Sequence, residues 1–450
     1  MQEESVASFA TAGPASAASR PRAYAWLVFA ITFGLMLSDY MSRQVLSAVF
    51  PQLKMEWSLS DTQLGLLSGI VGLMVGLLAI PIAMLADRLG RVKSVVLMAL
   101  FWSLATLGCG LAQNYGHMLV ARFLVGLGEA GYGSVGLAII LSLFPPAMRA
   151  TLTGAFTAAG MFGSVLGMAA GGVLATHFGW RAAFIAMAFF GLLLVLLYVF
   201  SISEARVARH THKGSAEGVS DAGRPKKLDR QLLRKIVKAL FGAPTLLFTY
   251  VACGLQLFVA YAIIAWMPSY INRYYGMALD KSALAAAVLL IFSGIGMAVC
   301  GALADRAGRE APTQKVTLAI KFCLGACVLL MIAMRLPPGS AQFAMIAIGV
   351  FFAAGSYGPA GAVVTNLVHP SIHATAIATL VLANNLLGGA PGPYLTGVLA
   401  DRIGLLGALQ WIPLISIAAA LAFACARANY GRDLRRFETE KTQHFFLNKQ

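Results

Sequence analysis

The chain has 450 residues, of which 59% are hydrophobic and only 12% charged, with a mean hydropathy of +0.76. A soluble protein of this length carries about a quarter charged residues, so the polar surface is too small for water and lipid must cover the rest. The net charge of +16 comes from 34 Lys and Arg against 18 Asp and Glu. On a soluble protein it would raise nucleic acid as a partner, but the basic residues gather on the N-terminus, the even-numbered connections and the C-terminus. That is the positive-inside pattern of a membrane protein, and it predicts a cytoplasmic position for both termini.

In chain order, residues 1–23 form a polar tail without the apolar core of a cleavable signal. Twelve stretches long enough to cross a bilayer follow, centred on 24–48, 62–86, 93–112, 117–144, 150–175, 181–201, 244–271, 281–304, 315–335, 341–368, 373–399 and 407–427. The reading is therefore an all-α membrane protein with six-helix bundles at 24–201 and 241–427 and a cytoplasmic tail at 428–450. The charged linker between the bundles, 202–240, holds ten Lys or Arg. Its latter part spaces Leu228, Leu232, Ile236 and Leu240 four apart among basic residues, which predicts an amphipathic helix on the inner membrane face. The six Cys occur singly in apolar segments and read as packing residues.

The halves repeat one another. Asp87-Arg88-Leu89-Gly90-Arg91 after the second span recurs as Asp305-Arg306-Ala307-Gly308-Arg309 after the eighth. Pro51 matches Pro268, and Gly172-Val173-Leu174-Ala175 with Gly179 matches Gly397-Val398-Leu399-Ala400 with Gly404, all at nearly constant spacing. This points to a duplicated unit with a substrate path at the repeat interface.

With those motifs the sequence resembles the major facilitator superfamily over essentially its whole length. The resemblance implies that fold, as two pseudo-symmetric six-helix bundles, and implies that the loops of Asp87, Arg88, Gly90 and Arg91 and of Asp305, Arg306, Gly308 and Arg309 latch the halves at the cytoplasmic side. Gly90 and Gly308 are expected to permit tight backbone there. Tyr40 to Leu46 and Arg122 to Tyr132 resemble the spinster-like branch, the sphingolipid and lysolipid transporters and their bacterial relatives. That branch reads N-Y-x-D-R where this chain has Asp39-Tyr40-Met41-Ser42-Arg43. The acid is displaced by about one helical turn, so it keeps its face and gains an i, i+4 partner in Arg43.

Charges inside a membrane are costly and so require a function. Asp39, Arg43, Arg122 and Glu129 carry the expectation here. Glu129 has no basic neighbour within a turn of its own helix and reads as the proton carrier, with Asp39 as counter-ion or second proton-coupling acid. Arg43 and Arg122 read as anchors for an anionic group. The second half offers Gln256, Tyr261, Trp266, Tyr357, Asn384 and Asn385 as substrate-binding candidates. Glycines at 163, 167 and 171 form a close-packing stripe, and the run Gly388 to Pro393 should bend the eleventh span.

No P-loop, HExxH, CxxC or GxSxG pattern is present, so neither an enzyme nor a cofactor or metal is expected. The reading is a monomeric, proton-coupled secondary transporter of the cell inner membrane, working by alternating access on an anionic amphiphile or lipid-like molecule. A symporter of a small organic anion, a carboxylate or sugar acid, is the alternative, and a non-transporting sensor on the same scaffold a further one.

Overall fold

A computed structural model describes residues 23–210, 230–369 and 372–447. The described residues are almost entirely helical, because in lipid the backbone must satisfy its own hydrogen bonds. The first span is Ala23–Trp57, the second Asp61–Leu89, the third Arg91–Gly110. The fourth is broken into Tyr115–Glu129 and Tyr132–Leu143, the fifth is Arg149–Phe178 and the sixth Trp180–Ser201. A short helix, Glu204–His210, ends the first half, and the linker helix Arg230–Phe241 begins the second.

The seventh, eighth and ninth spans are Pro244–Tyr275, Leu279–Glu310 and Gln314–Ala333. The tenth is again broken, into Ser340–Ala354 and Tyr357–Asn366. The last apolar stretch, Thr375–Phe437, contains two spans. Gly404, at φ 78° and ψ 158°, turns the chain from the eleventh into the twelfth. Gly179, between the fifth and sixth, has almost the same backbone at φ 83° and ψ 159°. The twelve spans are thus present, and this pair of matched glycines marks the duplication. Several helices run past the predicted ends, the first by a further nine residues to Trp57. The run Gly388 to Pro393 does interrupt the eleventh span, as a π-helical turn at Asn385–Gly389 with Pro391 opening the next segment.

Of the linker helix, Leu240 is buried against the second half, Arg234 and Lys238 are exposed, and the Phe241 ring meets Tyr250 at 6.1 Å. Leu228 lies outside the described residues.

Within the first half the first span packs on the fifth and sixth, and the third on the fourth and sixth. The halves meet chiefly through the second and eleventh spans and the fifth and eighth. The start of the first span at Ala23 and the end of the twelfth lie on one side of the bundle, as an even number of spans requires, here the terminal face. On the opposite, far face one apolar core runs across both halves, joining Val49, Leu53 and Leu67 to Trp266, Ile271 and Leu409. On the terminal face the core is split into a first-half cluster around Trp102 and Tyr132 and a second-half cluster around Leu246 and Phe423. The halves are therefore packed together at the far face and apart at the terminal face.

Glycine makes the close approaches possible. A Cβ at Gly65, Gly69 or Gly72 would strike the backbone of Pro393, Ala390 or Gly389 in the eleventh span. The predicted stripe does the same inside the first half, where Gly163 and Gly167 press on the backbone of Leu37 and Met41. This fixes the first span at the height of Asp39 and Arg43. Gly167→Val should therefore cost at least the ~1–3 kcal/mol of an overpacked core, read as a lowered melting midpoint, whereas Gly154→Val, at a position with nothing within 4 Å, should leave the midpoint unchanged.

Candidate functional site

The first span buries one face made of Val28, Thr32, Leu35, Asp39 and Ser42. This spacing of three and four keeps polar groups on a single stripe facing the interior of the first half. The fourth span meets that stripe with Glu129, the last residue before its helix stops. Ala130 is extended and Gly131 takes φ 90°, a left-handed conformation that glycine adopts without strain. The break explains why Glu129 is followed by Ala-Gly in the sequence.

Here the structure corrects one expectation. Glu129 has no partner on its own helix but finds one across helices, with its Oε2 2.7 Å from Arg43 Nε. Asp39 Oδ1 lies 3.4 Å from the same nitrogen, and Ser42 Oγ donates to Glu129 Oε1 at 3.1 Å. One guanidinium therefore faces two carboxylates. The 2.7 Å approach is an ion pair by distance, but the N–H is not well directed at either acid, so the contact is electrostatic more than a directed hydrogen bond. The Glu129 side chain is fully buried and that of Arg43 is 21% exposed, so Arg43 is the accessible member of the cluster. Its guanidinium lies 5.0 Å over the Tyr40 ring, which rests on Gly160.

Arg122 is a second correction. It is 1% exposed, and its guanidinium donates to two backbone carbonyls, Leu67 O at 3.3 Å and Ser42 O at 3.1 Å. It braces the first span against the second and fourth and is not available to a substrate. Trp266 is a third. It is fully buried, donates its indole N–H to Pro393 O at 3.0 Å and packs on Phe50, which makes it part of the far-face seal. Tyr261, 41% exposed, reaches from the second half to lie near Arg43 and Tyr40, and half-buried Tyr357 lies near both tyrosines. Gln256 and Asn384 are buried in the second half with amide atoms lacking a hydrogen-bond partner. Asn385 begins the π turn and donates to Val381 O.

The two loops of the repeat differ in backbone. Gly90 has φ 95° and ψ 141°, and the Glu204 carboxylate occupies the space beside it while accepting from Val92 N at 2.9 Å. Gly308 does not form a matching turn, because the eighth helix continues through it to Glu310. Arg88, Arg306 and Arg309 are exposed and Arg91 is half-buried. Asp305 pairs with Lys315 at 3.2 Å, not with Arg309. Among the described residues no ion pair joins one loop to the other. Of Asp87 only the helical backbone position is described.

The far face holds a cluster that the sequence reading missed. Arg273, at the end of the seventh span, makes two bonds to Asp61 at the start of the second, Nη1 to Oδ2 at 3.0 Å and Nη2 to Oδ1 at 2.7 Å. Lys54 adds a contact of 2.6 Å to the same carboxylate. Asp401 of the eleventh span accepts from the backbone N–H of Asp61 and Thr62, both at 2.8 Å, where a helix N-terminus favours an anion. Two second-half side chains thus hold the first turn of the second span.

Twelve spans in two like halves, locked at one face and parted at the other beside a buried charge cluster, define a polytopic membrane transporter. The chain belongs to the Major Facilitator Superfamily, whose sequence profile matches residues 28–393. It is similar to protein spinster homolog 1 of Xenopus laevis, 27% identical over 395 residues covering 84% of this chain and 73% of that protein. It is also similar to a probable 4-methylmuconolactone transporter of Cupriavidus pinatubonensis, 26% identical over 85% of this chain and 86% of that one. A bacterial homolog of the human lysosomal transporter spinster, solved inward-facing and unoccupied, shares the fold with a TM-score of 0.75 at 22% identity, over 93% of this chain and 98% of that one. These relatives are transporters and not enzymes, and the chain is a multi-pass membrane transporter of this superfamily for a small-molecule substrate.

Proposed function

We propose that this protein is a proton-coupled secondary transporter of an anionic amphiphile, acting as a monomer in the cell inner membrane with its terminal face in the cytoplasm. The skew of Lys and Arg toward the connections on that face supports the orientation. The observation that carries the reading is Arg43, held by two buried carboxylates and itself partly exposed. An anionic headgroup and Glu129 compete for this guanidinium. When the headgroup binds, Glu129 is displaced and takes a proton, and when the headgroup leaves, Glu129 returns and releases it. Asp39 keeps Arg43 oriented throughout, and Tyr40, Tyr261 and Tyr357 line the approach.

The amphiphile part rests on the terminal-face end of the second span, beyond the glycine stripe that packs on the eleventh. Ile80 continues the stripe of Gly65, Gly69, Gly72 and Gly76 that packs on the eleventh span, yet it is 50% exposed, and Leu77 and Met84 beside it are 51% and 53% exposed. That leaves an apolar lip at membrane depth, suited to an acyl chain entering sideways.

Lysophosphatidylglycerol should raise the melting midpoint of the purified protein by several degrees, and Arg43→Gln should abolish the shift. Stabilisation by glucuronate and not by the lysolipid would instead make the cargo a small organic anion.

A further inference from the structure

The acid pair has a second polar side that faces away from the cavity, into the interior of the first half. Ser38, adjacent to Asp39, and Ser103 of the third span converge on Gly191, where their hydroxyls fill the space a Cβ would need. Tyr132, three residues after Glu129, is fully buried and donates to Thr32 O at 2.7 Å. It stands near both Asp39 and Tyr198. The Tyr198 hydroxyl, also fully buried, lies beside the Thr32 side chain and near Tyr24 and Glu204.

These groups come from the first, third, fourth and sixth spans, and they descend from Asp39 to the terminal face. Thr32 is seven residues from Asp39 and eight from Tyr24, which is about 10 Å and about 12 Å along the helix. The hydroxyls of Ser103, Tyr198 and Tyr24 and the indole N–H of Trp102 lack a protein partner and lie on this line. Buried polar atoms of that kind are ordinarily satisfied by ordered water. On the cavity side Arg43, a permanent cation, covers the acids and repels an approaching hydronium ion.

We propose that Ser38, Ser103, Tyr132, Thr32, Tyr198 and Tyr24 form a proton conduit inside the first half, joining the Asp39–Glu129 pair to Glu204 at the terminal face. At rest Tyr132 and Thr32 donate to the backbone carbonyls of Thr32 and Val28, both at 2.7 Å, so a proton passes when these hydroxyls rotate onto ordered water beside them, each accepting a proton on one side and giving up its own on the other. At the inner end Asp39 and Glu129 face Arg43, Arg122, Tyr40, Cys109 and Tyr132. At the outer end Tyr198 lies near Glu204, and Tyr24 faces Arg206 and His210, the last with ring centroids 4.6 Å apart. With the protein open at the terminal face, protons thus leave the pair through the wall of one half while the substrate uses the cavity; the pair loads from the far side once the cavity opens there and the displaced Arg43 no longer covers it.

The conduit rests on the proton-coupled reading, and a substrate-free experiment separates the two. In nanodiscs, a pH jump from a photolysed proton cage is followed by time-resolved infrared spectroscopy of the protonated carboxyl band, assigned to Glu129 by its loss in Glu129→Gln. Tyr198→Phe, which removes a hydroxyl with no protein partner, should slow the band at least tenfold with the midpoint pH and melting temperature unchanged, and Tyr132→Phe should slow it as much with a somewhat lower melting temperature from the lost bond to Thr32 O. Ser103→Ala, a smaller perturbation, should slow it in the same way. Wild-type rates in all three variants would overturn the conduit alone. If no band sensitive to Glu129→Gln responds to pH, the carrier role falls and takes the conduit with it.

Discussion

Glu129→Gln should abolish accumulation driven by a pH gradient and spare exchange. Glutamine keeps the size of the side chain and can keep the contact with Ser42, but it cannot carry the proton that makes downhill proton movement do work. In proteoliposomes loaded with a pH-sensitive dye, labelled lysophosphatidylglycerol should be taken up against its gradient by the wild type, with a dye response. The variant should show neither, while counterflow between equal concentrations inside and out continues. Retained dye-coupled uptake in Glu129→Gln would end the carrier assignment. Glu129→Ala is a poorer test, because a buried arginine stripped of a partner costs about 3–5 kcal/mol and the loss of transport could reflect a loss of fold. Asp39, still 3.4 Å from Arg43, limits that damage in the Gln variant.

The second large effect is conformational. Arg273→Met removes a two-bond ion pair that crosses the halves at the far face and leaves Asp61 with only Lys54. The Arg273 side chain is 26% exposed, so the contribution is below that of a fully buried pair, about 1–3 kcal/mol. That is about a 5- to 150-fold shift of the equilibrium toward a state open at the far face. Spin labels placed at Met55 and Tyr274 and measured by pulsed dipolar spectroscopy should show a longer distance growing in the variant. The swapped pair Asp61→Arg with Arg273→Asp should restore part of the short-distance population. An unchanged distance distribution in Arg273→Met would mean that the apolar core across the halves, and not the ion pair, holds the far face shut.

The fold was legible because its signals are local. Twenty apolar residues are a span wherever they occur, and two copies of Asp-Arg-x-Gly-Arg disclose a duplication without any knowledge of packing. Asp39, Arg43, Arg122 and Glu129 stood out because charge inside an apolar run is conspicuous. What they touch was not legible. The partner of Glu129 is 86 positions away in sequence, and Arg122, equally conspicuous, spends its donors on two carbonyls. Asp61, Arg273 and Asp401 escaped notice for the opposite reason, since a charge at the end of a span is ordinary. Asp61 does follow Ser60 in a capping box that also uses Gln63, a helix start that any sequence would show, but nothing in it tells of an arginine from the other half. Gly308 was misread because the shared Asp-Arg-x-Gly-Arg motif turns the chain at Gly90, where the Glu204 carboxylate sits against the turn, and stays helical at Gly308.

The far-face lock has a bearing on measured affinity. A site that is exposed at rest to the terminal face binds from that side at its intrinsic strength. From the other side the same residues bind only in the fraction of molecules that have opened, and the apparent dissociation constant is the intrinsic one divided by that fraction. A lock of about 2.7 kcal/mol makes the site look about a hundredfold weaker from the far side. One set of contacts therefore yields two titration curves, and weakening Arg273 draws them together without altering any residue that touches the cargo.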